Sequence, residues 1–282
     1  MALLPLLAIS IDAAQNSFEN RIVQIETETA SRIGVTAIDS GTRRRIEHRP
    51  NERFLMCSTF KLLAAAAVLQ RVDRKEENLD RFVRYNQGDI LEYAPVTKEH
   101  LAEGGMKLEA LCRAAIEQSD NTAGNLLLQA IGGPSGLTKF ARSLGDQVTH
   151  LDRVEPDLNI PLKEGDEGDT TTPAAMCEDI RGLLENDVLS KESRRLLDDW
   201  LQHGQTGVAM IRAGVPVNWR VGDKTGRSGN GATNDVAVIY PPDGSPIFTA
   251  IYTFSGSTTD EQRFAAIASV ARVVCETFRP AR

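Results

Sequence analysis

The chain has 282 residues, of which 41% are hydrophobic and 25% charged, and a formal net charge of −7. That length can bury a sizeable core in one or two domains and the balance is that of an ordinary soluble globule, while the acidic surplus argues against nucleic acid or an anionic membrane as a main partner. The 4 histidines are scattered and the 4 cysteines lack Cys-x-x-Cys spacing, which disfavours a zinc hydrolase and a disulfide framework, and no motif calls for a cofactor.

The chain opens on Met1-Ala-Leu-Leu-Pro-Leu-Leu-Ala-Ile-Ser10. This resembles the apolar core of a signal peptide without its basic start and is too short to span a bilayer. Residues 1–13 are therefore read as a signal-peptide remnant, and the expected location is the bacterial periplasm or the exterior. Residues 14–30 predict an amphipathic helix, with Phe18, Ile22, Val23 and Ile25 among charges. Strands are expected at 33–38 and around 45–48, joined through Ser40-Gly41 and the solvated run Arg43-Arg44-Arg45.

A helix is predicted over 58–70, where Leu62, Leu63, four alanines, Val68 and Leu69 follow without Gly or Pro. Ser58 takes its N-cap, and Lys61 lies one turn on along the same face, within reach of the hydroxyl. A serine hydroxyl needs a base beside it near neutral pH. Lysine can be that base where burial and a second cation, such as Lys224, lower its pKa. Alternatively, Ser58 only caps the helix and Lys61 points into water. Cys57 offers a thiol, but no histidine sits in a matching motif.

Farther along, Leu108, Leu111, Cys112, Ala115 and Ile116 form an apolar stripe that resumes at Leu126, Leu127, Leu128 and Ile131. Between them lies Ser119-Asp120-Asn121, a polar tripeptide presented by two hydrophobic helices. Ser119 or Asp120 also suits an ordinary cap. Residues 150–170 read as one long loop with Pro156, Pro161, Gly165 and Gly168, and such a loop in a compact domain is functional or disordered. Arg153 can pair with Asp169 and close its neck. Glu155, in Glu155-Pro-Asp-Leu-Asn159, is the carboxylate that can activate water beside an acyl-serine.

A strand over 217–224 ends in Lys224-Thr225-Gly226 and enters Arg227-Ser228-Gly229-Asn230-Gly231, returning over 234–240 as a hairpin. The close glycines suggest a phosphate loop, but no helix follows, so nucleotide binding is disfavoured. The backbone N–H groups of Ser58 and Arg227 suit an oxyanion hole. A strand at 247–254 and a helix at 260–278 finish the chain. The prediction is an α/β fold of the α+β type. A largely antiparallel five-stranded sheet is flanked by N- and C-terminal helices, an all-helical domain is inserted, and the site lies at the seam. The sheet domain is assigned to 14–57 plus 208–282, and the helical domain, with the 150–170 loop, to 58–207.

Ser58-Thr-Phe-Lys61, Ser119-Asp-Asn121, Glu155-Pro-Asp-Leu-Asn159 and Lys224-Thr-Gly226 occur in that order, with Tyr93-Ala-Pro-Val-Thr97 and Asn234-Asp235 besides. From about residue 16 to the C-terminus the chain resembles a class A serine β-lactamase, within the penicillin-binding-protein-like serine hydrolases. The resemblance implies that Ser58 is acylated, that Lys61 is its proton partner and that Ser119 relays a proton to the leaving nitrogen. It implies that Asn121 binds the acylamido side chain and that Glu155 and Asn159 hold the hydrolytic water. Lys224 and Thr225, with Gly226 and Ser228 beside them, would take the substrate carboxylate, and Tyr93 would wall the site. The implied partners are small-molecule β-lactams, acting on a monomer.

The chain departs from the family pattern in several places. The 160–168 stretch is one residue longer than usual, with Gly168 where a basic residue is customary, and Arg227 replaces a small residue. Thr233 stands where many relatives carry an arginine, leaving Arg227, Arg220 and Arg263 as candidate substitutes. Cys112 resembles half of a disulfide whose partner position holds Ala65. Two rival readings are a D,D-peptidase or penicillin-binding protein and a non-hydrolytic β-lactam sensor domain. Both predict a lasting acyl adduct; the Glu155 segment argues against the peptidase, and a sensor is expected in a membrane-anchored receptor, for which no transmembrane span is visible in the sequence.

Overall fold

The computed structural model describes residues 4–161, 165 and 167–279, with side chains from residue 15 onward. Helix α1 (Leu4–Thr29) leads into the hairpin β1 (Arg32–Asp39) and β2 (Arg45–His48). A short strand β3 (Phe54–Leu55) and a 3-10 turn (Cys57–Thr59) precede α2 (Phe60–Asp73). The middle continues through β4 (Phe82–Arg84), β5 (Gly105–Lys107), α3 (Leu108–Glu117), α4 (Asn121–Ile131) and α5 (Gly133–Leu144). After the long loop come β6 (Thr170–Thr171), α6 (Pro173–Glu185), α7 (Lys191–Gln202) and the single turn α8 (Ile211–Gly214). Strands β7 (Arg220–Arg227), β8 (Ala232–Tyr240) and β9 (Ile247–Phe254) and helix α9 (Asp260–Phe278) complete the chain.

One sheet, ordered β2-β1-β9-β8-β7 and antiparallel throughout, draws strands from both ends of the chain. Successive strand side chains point to opposite faces, so the same strands feed two cores. Val236, Val238, Phe248, Ala250 and Tyr252 join the helical middle. Ala237, Ile239, Ile247 and Ile251 pack with Phe18 and Ile22 of α1 and Ile267 and Val274 of α9. Burial on both faces explains why β8 and β9 read as nearly continuous apolar runs rather than alternating ones. The helical core forms around α2, where every residue from Phe60 to Leu69 is buried. A helix apolar on all sides has to be surrounded, and each fully buried Leu or Val there contributes roughly 1.5–3 kcal/mol.

The fold class is as expected, with local differences. Helix α2 begins at Phe60, not at Ser58, and Ser58 is not an N-cap. The capping position is Thr59, whose side chain makes no cap hydrogen bond, and Ser58 sits in the tighter turn before it. Strand β7 runs through Lys224-Thr225-Gly226 to Arg227, because these residues pair with Val236, Asp235, Asn234 and Thr233; Val217 is fully exposed ahead of it. The apolar start and the amphipathic helix are a single backbone helix from Leu4, with Pro5 in its first turn, where a missing N–H costs nothing. Short ladders β3–β6 and β4–β5 interrupt the helical middle. The expectation of a lengthened loop falls partly on residues 162–164 and 166, which lie outside the described residues.

Candidate active site

The hydroxyl of Ser58 is aimed by its backbone. Cys57 before it adopts a positive φ of 47°, a conformation uncommon outside glycine. Asp169 accepts the Met56 amide (2.9 Å), and Asn234 of β8 donates to the carbonyls of Leu55 (2.8 Å) and Met56 (3.2 Å). Strand β7 passes close on the other side: a Cβ on Gly226 would lie 2.7 Å from the Met56 carbonyl oxygen and 3.1 Å from the Ser58 nitrogen. Glycine is required there by space. As β7 is the sheet's edge strand, its outward N–H groups have no sheet partner, which places amide donors beside Ser58.

Lys61 and Glu155 flank that hydroxyl. Lys61 Nζ donates to Ser58 Oγ at 2.9 Å, to the Ser119 carbonyl at 2.8 Å and to Asn121 Oδ1 at 2.6 Å. Ser58 Oγ in turn donates to Glu155 Oε1 at 2.9 Å, and Glu155 Oε2 accepts from Asn159 Nδ2 at 2.6 Å. Lys61 and Glu155 are 3.3 Å apart with side chains fully buried. Gly124 on α4 makes room for the lysine, since a Cβ there would come within 2.6 Å of Lys61 Cε. Burial holds the Lys61 ammonium below the ordinary lysine range, against the opposing attraction of Glu155.

On the opposite wall, Lys224 Nζ donates to Ser119 Oγ at 2.9 Å and to the Thr225 carbonyl at 2.8 Å. Burial, followed by the charge of Lys61, brings its pKa down to about 7. Thr225 Oγ1 is hydrogen-bonded to Thr206 Oγ1 at 2.6 Å. Ser119 stands at a positive φ of 56° between α3 and α4, and the cap of α4 is Asp120, which accepts the Ala123 amide at 2.8 Å. Asp120 also accepts the amides of Val96 (3.0 Å) and Thr97 (2.9 Å), and Asn121 N–H donates to the Tyr93 carbonyl at 3.0 Å. These bonds tie the Tyr93 segment to the Ser119 turn.

A cleft of about 180 Å³ is lined by Ser58, Tyr93, Ser119, Asn121, Glu155 and Asn159 on one side and Thr206, Thr225, Gly226 and Arg227 on the other. Lys61 and Lys224 lie directly beneath it through the bonds above. Ser228, expected beside the substrate, does not line the cleft; its hydroxyl accepts from the amides of Asn230 and Ala232, both at 3.3 Å, within its own turn. Arg153 and Asp169 lie at the loop's neck, with Arg153 Nε donating to Asp169 Oδ2 at 2.6 Å and Arg153 Nη2 to the Ile160 carbonyl at 2.8 Å. Of the candidate arginines, Arg263 is buried on Thr233, Ser255, Thr258 and Asp260. Arg220 stacks on Tyr240 and donates to Gln202. Only Arg227 reaches the cleft.

Several contributors escaped the sequence reading. Asn125 of α4 exchanges two hydrogen bonds with the backbone of Glu155, N–H to Oδ1 and Nδ2 to carbonyl, each 2.9 Å. A polar residue among Leu126, Leu127 and Leu128 was its one signal. Thr206 gave no local sign, and Asn234 was noted only with Asp235 as part of the resemblance, without its bonds to the Leu55 and Met56 carbonyls. All four cysteines are free and buried, and burial raises the Cys57 thiol far above its ordinary value, which removes it as a nucleophile.

Comparisons with known proteins show the family. A model of the "Beta-lactamase enzyme family" matches residues 17–278. A β-lactamase of Amycolatopsis lactamdurans is 45% identical over 90% of this chain and 83% of its own length. The β-lactamase OXY-2 of Klebsiella oxytoca is 40% identical over 98% of this chain and 95% of its own. Among solved structures, the class A β-lactamase of the last common ancestor of Gram-negative bacteria superposes with a TM-score of 0.90 at 51% identity, covering 93% of this chain and 100% of that one.

Proposed function

The chain belongs to the class A serine β-lactamases and hydrolyses the β-lactam amide; from that premise we propose how its residues divide the work. The observation that carries the assignment is the Ser58 hydroxyl held at 2.9 Å from both Lys61 Nζ and Glu155 Oε1. Lys61 offers its three donors to three oxygen acceptors, while the serine proton points at Glu155. Glu155 therefore takes that proton as Ser58 Oγ attacks the ring carbonyl, and Lys61 stabilises the developing alkoxide. The amides of Ser58 and Arg227 receive the carbonyl oxygen, one such donor typically contributing about 3–4 kcal/mol to the transition state.

The ring nitrogen leaves with a proton from Ser119. The proton that Glu155 took passes through Lys61, 3.3 Å from it and bonded to the Ser119 carbonyl, to the Ser119 hydroxyl oxygen, so that Glu155 is a carboxylate again before water arrives. Lys224 donates to Ser119 Oγ, which acidifies that hydroxyl and leaves its own proton free to face the cleft. Once Ser58 is acylated it no longer donates to Glu155, so Oε1 becomes open to water while Asn159 still steadies Oε2. Water deprotonated there attacks the ester and frees Ser58. Lys224 and Thr225 take the substrate's carboxylate, Asn121 its acylamido group, and Tyr93 and Gly226 form the walls.

Multiple-turnover hydrolysis of a chromogenic cephalosporin, with intact-protein mass taken early and late, tests this reading. A transient adduct and continued turnover are expected; one equivalent followed by arrest would instead indicate a peptidase or sensor. Among the described residues, no helix is long and apolar enough to cross a membrane. We further propose an exported monomer with no membrane or nucleic-acid partner and with separate sheet and helical domains. Fractionation of expressing cells and light scattering of the purified protein test the first two points.

A further inference from the structure

A second recess opens between the end of α5 and helix α6. It has a volume of about 470 Å³ and shares no lining residue with the catalytic cleft, and this size suits a small organic ligand. Leu144, Ala174, Ala175 and Val188 line it beside two acids, Asp146 and Asp179. Asp179 is 3% exposed, and among the described residues nothing donates a hydrogen bond to its Oδ2. A buried carboxyl oxygen without a donor is rare and calls for a reason. The neighbouring Asp146 is also buried, and its Oδ1 accepts the amides of Val148 (2.6 Å) and Thr149 (3.0 Å). Burial, followed by the charge and hydrogen bond of Asp146, holds the Asp179 carboxyl well above the usual carboxylate range. Asp179 is thus a neutral acid whose proton lies against Asp146.

The other charges facing the pair are held elsewhere. Glu178 of α6 takes Arg45 of β2 and Arg181 of α6, each at 2.8 Å. Arg45 also pairs with Glu47, and Arg181 with Glu185. Arg142 of α5 donates to the carbonyls of Asp146 and Thr149, both at 2.8 Å. The recess is also kept wide. Gly182 lies inside α6 and borders it, although glycine there costs roughly 1 kcal/mol against alanine. A Cβ on Gly182 would meet nothing closer than Asn186 Nδ2, at 3.7 Å, so no packed neighbour demands the glycine. Among the described residues no group of three or more His, Cys, Asp or Glu could hold a metal ion. Two carboxyls within apolar walls suit an ammonium on an aliphatic stem.

We propose that this recess binds a primary alkylammonium ion, its nitrogen at Asp179 and Asp146 and its stem along the wall of Ala174, Ala175 and Val188. The site is separate from the hydrolytic one, and its test does not depend on turnover. The ammonium replaces the proton of Asp179, so one proton passes to solvent for each amine bound. Affinity therefore rises with pH until the amine loses its own charge. Calorimetry of the whole protein with n-butylamine should show one saturable site, tighter at about pH 8 than at about pH 6. The heats in two buffers of different ionisation enthalpy should report about one proton released. The uncharged n-butanol should give no saturable heat. Asp179→Asn, which keeps a donor toward Asp146, should weaken amine binding about tenfold or more and end the proton release. Gly182→Leu should fill the recess and abolish binding, while a Tm at or above the parent's shows that the fold is intact. Absence of saturable binding to the parent, binding without proton release, equal binding of butanol, or affinity within twofold of the parent in both variants overturns the proposal.

Discussion

The two sides of the catalytic hydroxyl are supported in different ways. Lys61, Asn121, Lys224 and Thr225 stand on α2, α4 and β7, elements packed into the cores on either side of the seam. Glu155 and Asn159 lie in a long loop, Asn159 within a single 3-10 turn (Asp157–Asn159). That loop is fastened by the Arg153–Asp169 pair at its neck, by Arg153 reaching the Ile160 carbonyl, and by the two bonds between Asn125 and the Glu155 backbone. Attack can still draw on Lys61, held on its scaffold helix 2.9 Å from the hydroxyl, whereas activation of water depends on Glu155 and its few polar clasps, so damage to the clasps should slow release more than capture.

The comparison breaks first at the group both sides share. Ser58→Ala should abolish the acyl adduct in intact-mass measurements and lower kcat by about 10⁴-fold or more; a persisting adduct would mean another nucleophile. Next, Glu155→Gln should slow deacylation by roughly 10³-fold, and more than it slows acylation, so the adduct accumulates in stopped-flow and mass traces. Equal slowing of both steps would mean that the loop's carboxylate has no separate task.

Asn125→Ala probes the clasp alone. Removing two bonds to a buried backbone, at about 1–1.5 kcal/mol each, should cut deacylation roughly 10- to 100-fold while acylation changes by only a few-fold. A loss confined to acylation would contradict the division drawn here.

The gentlest probe is pH. Lys224, brought down to about 7 by burial and by Lys61, loses its charge as pH rises through that value. kcat/KM for an anionic substrate should therefore decline on the alkaline side, and Lys224→Arg, which stays charged, should move that limb upward. An unchanged limb would assign it to another group. The linked stability has the opposite sense. Between about 7 and the ordinary lysine value of 10.5 the unfolded chain binds more protons, so stability rises with pH across that window.

Much of this protein is written locally. The apolar runs of β8 and β9, the stripes of α3 and α4, and the capping box of Thr259 with Gln262 at the start of α9 are short-range patterns, and their elements appear where those patterns lie. The order of Ser58-x-x-Lys61, Ser119-Asp-Asn121, Glu155 and Lys224-Thr-Gly226 likewise marked the chemistry, because each is common alone but all four in that order are hard to get by chance.

What those patterns could not supply is how distant segments meet. Ser58 leaves the expected N-cap for a tight turn because Asp169, Asn234 and Gly226, each more than a hundred residues away in sequence, pin the backbone around it. The lowered pKa of Lys224 requires the burial and the neighbouring ammonium that folding provides. Asn125 acts on a loop thirty residues downstream, and Arg227 reaches the cleft beside Asp260 and Phe264 of α9. Periodicity and capping act over one or two turns of chain. Desolvation and hydrogen bonding depend on distance through space, which is set only when both cores have closed.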